Sequence, residues 1–579
     1  MAKISINIAT GSLQQQEMIV GIDLGTTNSL VAVIHPDSKK PSVLKEFDGV
    51  ALVPSVIHFG EGGIVSVGDM AKTKLIEEPQ NTIFSVKRLM GKSHNDVKDY
   101  TVFYTYKVID DNTDSLVKVQ VGDKFYSPIE LSSYILKELK NRAEHILKTP
   151  VNKAVITVPA YFNDAQRQAT RDAGKLAGLD VLRIVNEPTA ASLAYGIGLN
   201  KDETKTIAVY DLGGGTFDVS VLRIAGGIFE VLSTNGDTYL GGDDFDLAIV
   251  NYWTEKLEIT SEVLQSDKKL LQELRLLAEK AKIHLSANES FKGSAASYQV
   301  ELSKIDFEKL ILPYIQQTIK CCSNALKDAE LTSKDINEVI MVGGSTRVPS
   351  VKNSVADYFG KPVHDSLNPD EVVALGAAVQ ADILAGNNKD LLLLDITPLS
   401  LGIETMGGLM DMLIPRNSKI PSKASRQYTT QKDGQSGIRI SVYQGERDLV
   451  KDNRKLAEFN LTGIPGMPAG LPKIEVSFLV NADGILLVKA KELRSGVEQS
   501  IEVKPQYGLT DEEVEKMLLD SVTNAKDDIQ IRALVEAQTE ATQLIDTTQK
   551  FLQKNSELLS EQEKSNTGNA ILELRTMMK

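Results

Sequence analysis

Asp23-Leu24-Gly25-Thr26-Thr27-Asn28 follows the apolar run Met18–Ile22, and Asp211-Leu212-Gly213-Gly214-Gly215-Thr216-Phe217-Asp218 follows Thr206–Tyr210. Glycines let a backbone turn tightly and present bare N–H groups to an anion, and the neighbouring threonine hydroxyls add donors. A carboxylate at the head of each turn would repel a phosphate unless a divalent cation stood between them. Mg²⁺ characteristically takes one or two carboxylates, waters and substrate phosphates. The repeated string therefore predicts two phosphate-holding hairpins facing each other, with a Mg-nucleotide clamped between two related halves. One glycine-rich turn alone would be an ordinary hairpin. Gly91-Lys92-Ser93 imitates the end of a P-loop, but Val86 stands where that motif needs its first glycine, so P-loop chemistry is excluded.

The elements that must position these strings begin with β-rich runs. From Met18 to Asn388 the pattern alternates strands and helices: strands at Val151–Pro159, Val181–Asn186 and Val339–Val342, helices at Asp164–Ala177, Ala190–Tyr195 and Phe307–Ala329. That predicts α/β architecture in two lobes. After polar Asn387–Asp390, the run Leu391-Leu392-Leu393-Leu394-Asp395 precedes a change of period; four leucines are ordinarily a buried strand, but here they also suit a docking linker. Pro398 to Pro505 reads as a β-sandwich, with strands at Arg426–Gln431, Gly437–Tyr443, Glu458–Leu461, Ile474–Val480, Ile485–Lys491 and Gln499–Val503. Thr510-Asp511-Glu512-Glu513 then offers a helix N-cap with an acidic first turn, and the remainder is polar and helical.

At 579 residues the chain is too long for one core. Its 42% hydrophobic and 25% charged residues are ordinary for a globular protein, and a net charge of −14 disfavours nucleic acid or an anionic membrane as partner. The two cysteines are the adjacent Cys321 and Cys322, poorly placed for a mutual disulfide or a zinc site, and they read as thiols in a reducing compartment. With no long apolar run and no signal-peptide order in the first residues, the expected location is the cytoplasm.

Beyond the two loops, Val158-Pro159-Ala160-Tyr161-Phe162-Asn163-Asp164-Ala165-Gln166-Arg167, Asn186-Glu187-Pro188-Thr189-Ala190-Ala191, Gly343–Pro349 and the leucine run occur in one order. Together they resemble the heat-shock-protein-seventy (DnaK-type) chaperones, from Met18 into the helical tail. The resemblance implies an N-terminal extension (1–17), an actin-like α/β ATPase domain (18–388), a linker (389–396), a β-sandwich peptide-binding domain (397–505) and an α-helical lid, short or truncated (506–579).

Carried over, the resemblance places Asp23, Glu187 and Asp211 around Mg²⁺ through its waters. It also puts Gly25, Thr26, Thr27, Asn28, Gly213, Gly214, Gly215 and Thr216 on the phosphates, and Lys87 on the γ-phosphate and attacking water. Hydrolysis there needs charge neutralisation and an in-line water more than a strong base. The same resemblance sets Glu279, Lys282 and Ser286 against one side of the adenosine, and Gly343, Gly344, Ser345, Arg347 and Asp370 against the other. It makes Pro159, Arg167 and Leu391–Asp395 the relay to the sandwich, and it implies ATP or ADP with Mg²⁺, and K⁺, as ligands. Ile403, Met406, Tyr428, Ile438 and Ile440 fall on the peptide cleft, Ile438 as pocket floor, with Gln431 replacing a small apolar residue in the arch. Alternating apolar residues are ordinarily core, so the residues alone leave the cleft open.

The short segment between Ser286 and Ser303, Ser85–Gly91, Ile414–Asn417, Gly463–Pro465 with Pro468–Gly470, and Val503–Thr510 resemble the branch that serves iron–sulfur cluster assembly more than the general chaperone. That implies a monomer whose client is a peptide segment of the cluster scaffold protein and whose hydrolysis a J-domain cochaperone stimulates. The competing readings are a general folding chaperone, a sugar or acetate kinase of the same actin-like superfamily, and a filament-forming ATPase. The last two leave the sandwich and helices without a task.

Overall fold

Asp23 and Asp211 end equivalent strands of two sheets built alike. In the first, Ile19–Asp23 turns back antiparallel as Asn28–Ile34 and is flanked on its other side by the parallel strand Lys153–Val158, beyond which lies Asp180–Asn186. In the second, Lys205–Leu212 turns back as Phe217–Ala225 and is flanked by parallel Glu338–Val342. The computed structural model describes residues 5–6, 13–14, 18–35, 38–46, 49–98, 104–109, 116–196, 203–364, 367–387, 392–397, 399–481, 485–503 and 525–578. The predicted Thr510 cap, Leu391 and most of the N-terminal extension lie outside these residues.

The central strands are apolar on both faces because helices cover both. Val20, Ile22, Val209 and Tyr210 are fully buried. The two lobes meet where helix Glu187–Gly196 crosses helix Val372–Leu384. They cross so closely that a Cβ on Gly376 would stand 1.7 Å from the Ala190 carbonyl oxygen, so a glycine is required there. The predicted helix at 307–329 is Lys304–Asp328, started earlier by Ser303, whose hydroxyl accepts from the Asp306 N–H at 3.1 Å. Cys321 and Cys322 lie on it as buried thiols, and burial pushes Cys322 well up.

Leu392–Ile396 is a strand shared by two units. It runs parallel to Ile228–Asp237 at the edge of the second lobe's sheet, Leu392 opposite Ile228 and Leu394 opposite Glu230. Its far end pairs antiparallel with Lys419–Ile420. Asp328 to Arg416, at 3.4 Å, and Glu230 to Lys419, at 2.6 Å, add ion pairs beside it.

The sandwich has four strands a side: Leu409–Ile414, Leu401–Thr405, Gly437–Gln444 and Arg454–Thr462 on one, Ser422–Tyr428, Ile474–Val480, Leu486–Glu492 and Glu498–Glu502 on the other. Period-two burial is explicit at Ile474, Val476, Phe478 and Val480, with Leu479 outward. The strand expected at 426–431 lies four residues earlier; it is an edge strand with mostly exposed side chains, so it carries little apolar signal. Leu401–Thr405 and Leu409–Ile414 give no clear strand signal in the sequence, because Gly402, Glu404 and Asp411 break their apolar character and only Met406-Gly407-Gly408 separates them. Helix Ala525–Lys554 crosses that turn and is followed by Glu561–Met577. Among the described residues no helix is long and apolar enough to cross a membrane.

Candidate functional site

A cavity of about 430 Å³ opens between the lobes, and both glycine-rich turns line it. Asp23, Gly25, Thr26, Thr27 and Asn28 come from the first, and Asp211, Gly213, Gly214 and Thr216 from the second. Gly215 stands behind the wall, where a Cβ would strike the Thr26 side chain and Arg88. Asp23 and Asp211 arrive at the ends of paired central strands, which fixes their backbones; Thr157 donates to Asp23 at 3.2 Å. At Gly214 a Cβ would meet Thr27 Oγ1 at 1.9 Å, so the two turns approach as closely as bare backbone allows.

Lys87 lies on the short helix Val86–Leu89, buried, with Nζ donating to Glu187 Oε1 at 2.5 Å. Burial alone would lower this amine, but Glu187 and Asp23 outweigh it and hold it above its ordinary value. Burial, then the Glu187 charge, pushes Asp23 up to about 7, and Asp211 is raised for the same reasons. Three carboxylates around one ammonium leave uncompensated negative charge that a divalent cation would neutralise. Thr27 Oγ1 is buried without a hydrogen-bond partner, an orphan donor facing the glycine turn. The donor set therefore fits phosphate and Mg²⁺ together.

The opposite end of the cavity is lined by Glu279, Lys282 and Ser286 on helix Lys268–Leu285 and its cap, and by Gly343, Gly344, Ser345, Arg347 and Asp370 across from them. Lys282 Nζ donates to Asp246 and to the Gly242 carbonyl, each at 2.9 Å, so it joins two helices as well as lining the cavity. Arg347 grips Asp370 through Nη2 and Nε at 2.6 and 3.2 Å, and Ser345 Oγ donates to the Gly213 carbonyl at 2.8 Å. Gly343 adopts φ +83°, where a side chain would meet the Leu212 carbonyl. Lys92, the false P-loop lysine, is not in the wall; it lies over the Tyr239 ring, 5.1 Å from its centroid.

Pro159 is buried beside this region, and Arg167 binds the Phe162 and Ala160 carbonyls and, at 2.6 Å, Asn186 Oδ1 next to Glu187. In the sandwich, Ile403 and Ile440 are closed into the core and Ile438 is half-buried against it. The Tyr428 hydroxyl donates to Asp411 at 2.7 Å, burial and that carboxylate raising it well above its usual range. Met406 is half-buried beneath helix Ala525–Lys554, whose Gln543 reaches its sulfur, and Gln431 is exposed.

Residue types and spacing did not single out Ser85, Arg88, Asp218, Asp243, Asp244 or Asp246. Asp218, opposite Asp211 in register, accepts from the Tyr161 N–H at 3.0 Å, and burial pushes it up to about 8. Its only sequence signal was its place at the end of the second glycine string. Asp243 and Asp244 lie in the first turn of helix Gly242–Lys256 and Asp246 just beyond it, a pattern that also suits plain helix-end electrostatics.

Two sheets of one topology, joined by crossed helices beside a cavity lined by both glycine-rich turns and followed by a sandwich and helices, define the class. The chain belongs to the Hsp70 family, whose family model, described as Hsp70 protein, matches residues 19–579. It is 48% identical over 567 residues to the protein described as Chaperone protein HscA of Pectobacterium carotovorum subsp. carotovorum (strain PC1), covering 97% of this chain and 90% of that one.

Proposed function

We propose that this Hsp70 protein is an ATP-driven chaperone specialised for iron–sulfur cluster assembly, whose nucleotide state sets the affinity of its sandwich for an extended segment of the cluster scaffold protein. Hsp70 chaperones are ATPases that bind ATP or ADP with Mg²⁺. The observation that carries the reading is the meeting of both glycine-rich turns, Lys87 and Glu187 in one interlobe cavity. The specialisation rests on the resemblance of this chain to Chaperone protein HscA.

In this reading residues 18–388 form the ATPase unit, 389–396 the linker, 397–505 the peptide-binding unit and 506–579 the lid. Mg²⁺, held through waters by Asp23, Glu187 and Asp211, would supply charge neutralisation on the phosphates. Thr26, Thr27, Thr216 and the glycine N–H groups bind the phosphate oxygens, and Glu279, Lys282, Ser286 and the 343–347 segment hold the nucleoside. Lys87, kept protonated by its acidic neighbours, faces the γ-phosphoryl and orients the attacking water. Pro159 and Arg167, the latter through Asn186 beside Glu187, would relay nucleotide state from the first lobe's sheet toward the linker strand, which extends the second. Met406, Tyr428 and Ile438 would frame the cleft for a peptide bound by backbone hydrogen bonds and one apolar pocket, with Ile403 and Ile440 packed in the core behind them, and Gln431 narrows the client range. A J-domain cochaperone would stimulate turnover.

Two measurements test this. Lys87→Ala is expected to keep nucleotide binding and lose turnover; near-wild-type turnover refutes the catalytic assignment. Steady-state hydrolysis with a Leu-Pro-Pro-containing scaffold peptide should rise, and with a generic Leu-rich peptide should not. Equal stimulation by both would replace the specialised reading with a general chaperone.

A further inference from the structure

Ser85 immediately precedes the helix that carries Lys87, and its backbone is left-handed, φ 52° and ψ 31°, although it is neither glycine nor asparagine. Such a conformation persists only where the surroundings over-determine it. Here the residue is buried, and its hydroxyl donates to Asp243 Oδ2 at 2.8 Å across the cleft, from the first lobe to the second. Asp243 is itself fixed: its N–H donates to the Gly214 carbonyl at 2.7 Å, tying it to the phosphate turn. On the far side of Lys87, Arg88 binds Asp244 at 2.5 Å and the Gly215 carbonyl at 3.1 Å. Phe84, on the near side, lies under the Arg275 guanidinium, 3.7 Å from its ring centroid. Lys87 thus stands between contacts made by consecutive acids at the start of one helix of the opposite lobe.

We propose that Ser85 is a positioning residue for ATP hydrolysis: its hydroxyl, bonded to Asp243 only when the lobes are closed, holds the left-handed turn that aims Lys87 at Glu187 and the γ-phosphoryl. When the cleft opens the bond is lost, the turn relaxes to an ordinary backbone region, and Lys87 swings from its seat. Closure and catalytic competence then become one event, because the residue that reports closure sits two positions from the catalytic lysine. The inference rests on the catalytic assignment of Lys87 made above.

The test uses single-turnover hydrolysis of pre-bound ATP in the full chain, alongside nucleotide affinity. Ser85→Ala keeps the backbone's ability to bond but removes the hydroxyl, and it is expected to slow the chemical step about tenfold to a hundredfold, as for a small misplacement of a catalytic group. Nucleotide affinity should stay within about twofold, a split that loss of folding would not produce. Ser85→Asn should restore most of the rate, since asparagine tolerates the left-handed region and its amide can donate to Asp243. A cavity of about 50 Å³ lined by Phe84, Ser85, Arg88 and Asp243 leaves room for the extra atoms. Ser85→Ala combined with Asp243→Ala should be no slower than the slower single variant. A Ser85→Ala rate within twofold of wild type, no rescue by asparagine, or independent multiplication of the two single effects would overturn the proposal. Lys87→Ala run in parallel separates the two failures. If it hydrolyses ATP normally, the underlying assignment is wrong; if it is inactive while Ser85→Ala is normal, only the positioning role is wrong.

Discussion

The contact that holds helix Ala525–Lys554 against the sandwich is unequal along its length, and that inequality can be measured. Arg447 donates through Nε and Nη2 to the two oxygens of Asp528 at 2.7 and 2.9 Å, with side chains only 12% and 6% exposed. At the far end Lys550 meets Asp433 at 2.7 Å, with 60% and 55% exposure. Removing Asp528 deletes two charge-assisted bonds, each worth about 1.5–3 kcal/mol, and leaves a guanidinium in a mostly dry site. Arg447 keeps Asp452 at 3.8 Å, which softens the loss. We therefore take about 2–3 kcal/mol for Asp528→Ala, or roughly 30- to 150-fold in the equilibrium between seated and lifted helix, at 1.36 kcal/mol per decade. The exposed Lys550 pair contributes at most about 1 kcal/mol, under roughly sixfold.

If peptide leaves only when that helix lifts, dissociation of a fluorescent peptide from the ADP-bound protein should accelerate by the first factor in Asp528→Ala and by no more than the second in Lys550→Ala. Equal effects, or less than about threefold for Asp528→Ala, would refute the assignment of the buried pair as the latch. Arg447 holds the Asp528 carboxyl below its usual value, with burial opposing. A depressed folded value means the contribution is complete above the unfolded value near 3.9 and lost only as pH falls through the lower folded one. The latch should therefore be insensitive to pH between about 5 and 8, which the same dissociation assay checks.

Gly214→Ala would place a Cβ 1.9 Å from Thr27 Oγ1 and is expected to weaken Mg·ADP binding more than about tenfold with folding intact; calorimetric titration showing unchanged affinity would refute the close approach of the two turns. Gly376→Ala, 1.7 Å from the Ala190 carbonyl, must push two backbones apart and should cost about 3 kcal/mol or more, read from the urea midpoint. Replacing Leu392 and Leu393 with Asp, on the strand shared with Ile228–Asp237 and Lys419–Ile420, should leave basal hydrolysis and abolish its response to peptide; a retained response would remove this strand from the coupling.

What the sequence made legible follows from how locally each feature is encoded. The two glycine-rich turns were readable because glycine, threonine and aspartate report their own backbone needs at fixed spacing, and both turns do line one cavity. The leucine run was ambiguous, since a buried strand and a docking linker ask for the same side chains; the structure gives a strand whose first half pairs with Ile228–Glu230 and whose end pairs with Lys419–Ile420. Edge strand Ser422–Tyr428 was displaced because exposed positions carry no apolar period. Ser85 was invisible for a stronger reason. A serine before a lysine has no distinctive local pattern, and its left-handed backbone is imposed by Asp243, 158 residues away and in the other lobe. A residue whose conformation is fixed across a cleft can be recognised only when both walls are in place. The same separation makes it a sensor of closure, because a locally encoded turn would persist whether the lobes were open or shut.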